Sequence, residues 1–319
     1  MTTRLLLALL LLVPLRVSAE GWTLPRMAWG DPDLQGTWTS ATITGLERMD
    51  GVDELVLTPE EARRIEEQFA GFFEAVDAVP EGELPAGEDV GGYNTFWMDP
   101  GKRMAIVRGE IRSSLLVEPA DGKLPYSWRG RAQMFKRFYQ FMKADDPEAR
   151  LLGERCIVGF GSTGGPPMLP VLYNNHYRIV QSPGFLTILV EMNHDARIVR
   201  IGGEHLPAQI RPWLGDSVGH WEGDTLVVET TNFHPGQSFR GSLRHQIFMT
   251  KEARVEEKFT RVGEKEILYE FSVDDPGAYK QVWRGEVPLL AAEGRIYEYA
   301  CHEGNYSLPG ILAGARAED

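Results

Sequence analysis

The sequence predicts a mainly β protein: an antiparallel meander with an N-terminal extended arm and one or two covering helices. Three observations carry that expectation. Between Arg103 and Ala300 the chain holds seven or more short runs rich in Val, Ile, Thr and aromatic residues, several of them alternating apolar with polar positions. Tight-turn sequences part these runs, among them Ser182-Pro183-Gly184, Asn193-His194-Asp195, Glu222-Gly223-Asp224 and Gly263-Glu264-Lys265. No helical pattern falls between the later runs, so sequential strands pair with their neighbours. A closed barrel of the calycin or lipocalin-like kind removes the edges such a series would expose, and a two-sheet β-sandwich is the alternative.

Residues 1–19 read as a secretory signal peptide. Arg4 precedes the apolar run Leu5 to Val13, which is too short to span a bilayer, and Val17-Ser18-Ala19 is a small-x-small cleavage sequence. Residues 20–92 form the arm and a helix. In LTPEEARRIEEQFAGFFEAV, Thr58 is the N-cap, Pro59 the first helical residue, and Ile65, Phe69, Phe72 and Phe73 recur at helical spacing. Residues 93–319 are assigned to the barrel. Within them RMAIVRGEIRSSLLVEPADGKLPY reads as two strands and an Asp121-Gly122 turn, Gln133 to Met142 as a broken helix, and RIYEYA as the last strand.

The chain has 33 basic and 46 acidic residues. The signal segment removes two arginines and no acid, which leaves a net charge of 33 minus 2 minus 46, or −15. That charge opposes phosphate backbones and anionic lipid surfaces, and no basic cluster with interleaved aromatics is read to offset it, so nucleic acid is not an expected partner. After signal cleavage no membrane span is expected either, and the protein is placed in the periplasm or outside the cell. The only cysteines, Cys156 and Cys301, suit a disulfide in an oxidising compartment, which would contribute about 4 kcal/mol in the chain-entropy picture.

Two strand ends carry the candidate chemistry. EMNHDARIVR sets Glu191, His194, Asp195 and Arg197 around one turn; YEYACHEGNY sets His302, Glu303 and Asn305 beside Cys301. His194 is the candidate base, Asp195 or Glu191 its orienting carboxylate, His302 or Glu303 the acid, and Arg197 an anion stabiliser. Tyr173, Asn174, Trp213, Glu229 and Asn305 are candidate substrate-binding residues; Glu229 lies in mid-strand, where it lines the cavity only if its face points inward. A serine hydrolase would need a nucleophile elbow that is absent, and no H-E-x-x-H or H-x-H spacing supports a metal, so none is assigned and the cofactor is left open. The chemistry these groups suit is general acid–base catalysis on a small, partly apolar or aromatic compound by a lyase, isomerase or hydrolase. A non-enzymatic carrier or scavenger of hydrophobic ligands is the alternative.

The strings GPPMLPVLYNNHYRIV, EMNHDARIVRI, WLGDSVGHWEGDTLVVETTNF and YEYACHEGNYSLPGILAGAR resemble a large group of exported bacterial proteins of unknown function. LQGTW and YNTFWMDPG extend the resemblance towards the amino end. It implies export and marks the candidate residues above as motif positions, but it implies no activity. Asn193 departs from an expected apolar residue, and His220 stands where arginine is frequent.

Overall fold

The computed structural model describes residues 21–77, 98–237 and 239–318, so the signal segment lies outside the described residues. In chain order the strands and helices are β1 (Gly36–Thr39), β2 (Val56–Leu57), α1 (Pro59–Asp77), β3 (Ile106–Val107), β4 (Glu110–Arg112), β5 (Leu116–Glu118) and α2 (Trp128–Lys143). There follow β6 (His176–Ser182), β7 (Phe185–Val190), β8 (Ala196–Ile201), β9 (Asp216–Glu222), β10 (Thr225–Thr231), β11 (Arg240–Ser242) and β12 (His245–Ile247). The chain ends with β13 (Arg254–Gly263), β14 (Glu266–Asp274), β15 (Trp283–Ala291) and α3 (Ser307–Glu318).

Nine strands close a barrel in the order β1, β6, β7, β8, β9, β10, β13, β14, β15, because β1 pairs with both β6 and β15. The expected division at residue 93 therefore does not follow the strand pairing: GTWT, from the supposed arm, is the closing strand. Its burial of Trp38, only 2 % exposed, explains why it is held there. β5 pairs with β15 at Arg284 and Gly285, covering the part of that edge that β1 leaves open. One barrel pair is parallel. After β8 the chain runs back along the outside through residues 202–215, so β9 starts beside β8 in the same direction.

Period-two alternation fills the barrel with side chains. Tyr177, Ile179, Leu186, Ile188, Val199, Leu226, Val228, Phe259, Tyr269 and Trp283 are all buried in one cluster. Hairpin turns close one end, as at Gly223-Asp224, where Gly223 has a φ of +62° that a two-residue turn requires. The other end carries the longer connections 191–195, 232–253 and 275–282. It is capped by α2 and by the irregular segment 144–175.

α2 is longer and more regular than the broken helix expected from sequence. Ser127 caps it by accepting from the Gly130 amide at 2.9 Å, and donates its hydroxyl to the Ala278 carbonyl at 3.0 Å. α1 keeps its predicted cap: Thr58 and Glu61 form a reciprocal capping box. It packs beside the small β2–β4–β3 sheet over Ile43, Leu57 and Met104. RIYEYA is not a strand. Residues 292–300 have no regular structure, and a disulfide fixes the chain that follows them.

Candidate functional site at the capped end

The barrel axis is occupied by polar as well as apolar groups. Arg197, on β8, points inward and pairs with Glu257 on β13, Nη1 donating to Oε1 at 3.0 Å. The Tyr269 hydroxyl donates to the same carboxylate at 2.7 Å, and Ser217 bonds Thr230 at 2.8 Å beside it. The Arg197 side chain is 2 % exposed and Glu257 is fully buried. Arg197 is thus the partner of a buried carboxylate and not an open anion stabiliser, a correction that follows from which way alternation on β8 turns it.

The 191–195 connection is tightly tied. Asn193 and His194 both take left-handed backbone conformations, at φ of 60° and 44°. Asp195 accepts from the Gly159 amide at 2.6 Å and from Asn193 Nδ2 at 3.2 Å. Burial pushes its carboxyl up, against those two bonds. In the same 144–175 segment as Gly159, the carbonyls of Gly165 and Pro166 accept from buried Arg240 at 3.0 and 3.1 Å, and Arg240 also donates to Gln237 at 2.7 Å. Trp213 stacks on His234 with ring centres 3.7 Å apart, and its carbonyl accepts from Gln237 at 2.8 Å.

Glu191 does have a histidine partner, but it is His176. The Nδ1 of His176 lies 2.9 Å from Glu191 Oε2, with the imidazole 30 % exposed and the carboxylate side chain 7 % exposed. The Glu191 bond pushes His176 up, against burial. Burial would raise Glu191, yet the His176 bond and charge and the Tyr297 amide together hold it below the usual range. Tyr173 and Tyr299 share a hydrogen bond nearby, and burial drives the Tyr173 hydroxyl up to about 12. Asp99 adds a negative charge towards His176.

The two motif ends do meet on this side of the barrel. Cys156 and Cys301 are disulfide-bonded, Asn305 donates to the Glu154 carbonyl at 2.7 Å, and the Tyr297 amide reaches Glu191. The link between the motifs is the Tyr297 amide on Glu191, whereas Cys301 and Asn305 are tied to Cys156 and Glu154, outside the first motif. His194, His302 and Glu303 are exposed, and neither imidazole bonds a described residue. Asn174 stands at a left-handed position, φ 54°, just before β6.

Glu229 faces outward on β10, away from the barrel interior. It accepts from His205 Nε2 at 3.0 Å and pairs with Arg254, while His205 Nδ1 lies 2.9 Å from Asp216 on the neighbouring strand. Asp216 and Ser217 are the first residues of β9. Burial would raise Asp216, but bonds from Arg200, the Leu206 amide and His205 bring it down to about 2. The crossover 202–215 supplies two of those donors, so this cluster fastens the crossover to the barrel wall. Among the described residues no group of three or more His, Cys, Asp or Glu could hold a metal ion.

Two features escaped the sequence reading. The first is the partner of His176: a two-residue turn at Pro183-Gly184 pairs Ser182 with Phe185 and sets 176 opposite 191 when both strands are counted outward. The second is the charge of α2, whose five cations, interleaved aromatics and lack of any acid make it the basic cluster that the sequence reading does not find. No protein-family profile, curated protein or solved structure matches this sequence. The fold and the geometry of the site therefore define the molecule as a closed nine-strand barrel with a capped end bearing a His–Glu pair.

Proposed function

We propose that this is an exported enzyme that performs general acid–base chemistry on a small, partly apolar compound at the capped end of the barrel, with His176 as the proton-transferring group. The observation that carries the reading is the His176–Glu191 pair. Nδ1 is anchored by a nearly buried carboxylate, the ring is partly open to solvent, and Nε2 has no bond to a described residue. A fixed tautomer with one free nitrogen is what an imidazole needs to take a proton from a bound substrate. Glu191 is the positioning residue, and the Tyr173 hydroxyl, which burial pushes up to about 12, is a donor for a polar substrate group.

This reading keeps Glu191 as the orienting carboxylate and moves the base from His194 to His176. Reaction class stays at lyase, isomerase or hydrolase. Export rests on the leader-like segment and accords with the Cys156–Cys301 disulfide, and no helix among the described residues is long and apolar enough to cross a membrane. The carrier alternative draws no support from the barrel interior, which Trp38, Tyr177, Phe259 and Trp283 fill.

The test is consumption of compounds from a bacterial metabolite extract, followed by mass spectrometry, for the wild-type protein and for His176→Gln. A compound depleted by the wild type and spared by a folded His176→Gln supports the assignment. Equal depletion by both proteins, or no depletion by either, overturns it.

A further inference from the structure

We propose that α2 docks this protein onto anionic phospholipid bilayers, lying in the plane of the headgroups. The helix, WRGRAQMFKRFYQFMK, carries Arg129, Arg131, Lys136, Arg137 and Lys143 and no acid, in a chain whose net charge is −13. A concentration of positive charge on one element of an acidic protein orients it towards a negative surface.

The apolar side of the helix faces away from the body. Gly130, at the inner side, packs so closely on the Ala278 carbonyl that a Cβ there would stand 2.0 Å from its oxygen. On the opposite side Trp128, Phe135, Phe138, Tyr139 and Met142 are exposed by 81, 73, 53, 60 and 62 %. At 3.6 residues per turn these five fall within an arc of about 100°. An exposed aromatic stripe of this size on a soluble surface marks a contact site. Lys143, Lys136 and Arg129 follow one another along one flank of that arc, while Arg131 projects from within it, so the cations border and punctuate an apolar face that can sink into the acyl boundary while they meet phosphate.

A groove of about 660 Å³ lies between α2 and the Thr250–Glu252 segment, with Arg129, Lys136, Arg137 and Lys251 on its walls against a single acid, Glu252, which lies 3.9 Å from Arg129. It offers headgroup phosphates a cationic recess beside the aromatic stripe. Trp and Tyr at the water–lipid boundary and Phe beyond it match the composition expected of an interfacial helix. The proposal does not depend on His176 chemistry.

The experiment is co-sedimentation of the full mature chain with vesicles of phosphatidylglycerol or of phosphatidylcholine. Binding is expected on the anionic vesicles, at least tenfold weaker on the neutral ones, and reduced at least tenfold between 0.05 M and 0.5 M salt, as a screened attraction requires. Phe135→Ser combined with Tyr139→Ser, and separately Lys136→Glu combined with Lys143→Glu, change only exposed positions; each is expected to cut binding at least tenfold with the melting temperature kept. No binding, equal binding to both vesicle types, or unaltered binding by the variants overturns the proposal. So does self-association of the wild type through α2, or binding to an oligonucleotide without binding to vesicles.

Discussion

His176 and Glu191 lie opposite one another just beyond the ends of the β6–β7 ladder, joined through Nδ1 and Oε2 at 2.9 Å. The pair couples the start of one strand to the end of the next, and the Tyr297 amide ties the C-terminal segment to the same carboxylate.

Its pH dependence has a defined sign. His176 is raised above 6.5, so its contribution to stability is complete below pH 6.5 and is lost as pH rises through the higher folded value. Glu191 is lowered from 4.5, so its contribution is present above pH 4.5 and is lost as pH falls through the lower folded value. The wild type is expected to gain most over Glu191→Gln between about pH 4.5 and 6.5. Melting temperatures of both proteins across pH 4 to 9 check this; a constant difference across that range contradicts it.

Breaking the pair at the barrel centre is expected to be far more damaging. Glu257→Gln leaves Arg197 buried without its counter-charge and should cost roughly 3–5 kcal/mol in denaturant unfolding. Replacing both residues together, Arg197→Met with Glu257→Leu, should recover most of that loss, because the desolvation penalty disappears with the charges. A double variant as unstable as the single one would show that the pair is needed for packing and not only for charge balance.

Gly130→Ala separates propensity from packing. Alanine in a helix interior ordinarily gains up to about 1 kcal/mol over glycine. Here the added methyl meets the Ala278 carbonyl at 2.0 Å, so the variant should instead lose about 1–3 kcal/mol as α2 is pushed outward. A stabilised variant would mean that α2 does not sit against Ala278.

Reduction of Cys156–Cys301, or Cys156→Ser, should lower stability by about 4 kcal/mol and release the segment after β15 first. Limited proteolysis is expected to cut between residues 292 and 306 in the reduced protein well before the barrel is attacked. Cleavage spread evenly over the chain would contradict a locally anchored segment.

The barrel was legible because strand alternation and turn chemistry are local. The inward faces of β6, β7 and β13 read directly from the Tyr177, Ile179, Ile188 and Phe259 pattern. The closing role of GTWT was not legible, since a four-residue strand far from its partners has no local signal of what it pairs with. Arg197 reads as a surface or site charge because nothing local in a strand distinguishes the two, and only the closed barrel brings Glu257 opposite it. RIYEYA has a strand's composition, yet it pairs with no described strand and a long-range disulfide fixes the chain after it. Histidines drew attention where they sat beside acids in sequence, at His194 and His302, whereas the acid that anchors His176 lies across a hairpin.

The measurement that bears most directly on His176 as the base is the pH–rate profile for whichever compound the wild type consumes, compared with that of Glu191→Gln. A base that works in its neutral form makes the rate climb through the raised His176 value, and removing the Glu191 carboxylate should move that climb to lower pH while reducing the maximum rate. A climb that stays at the same pH in Glu191→Gln would contradict the assignment.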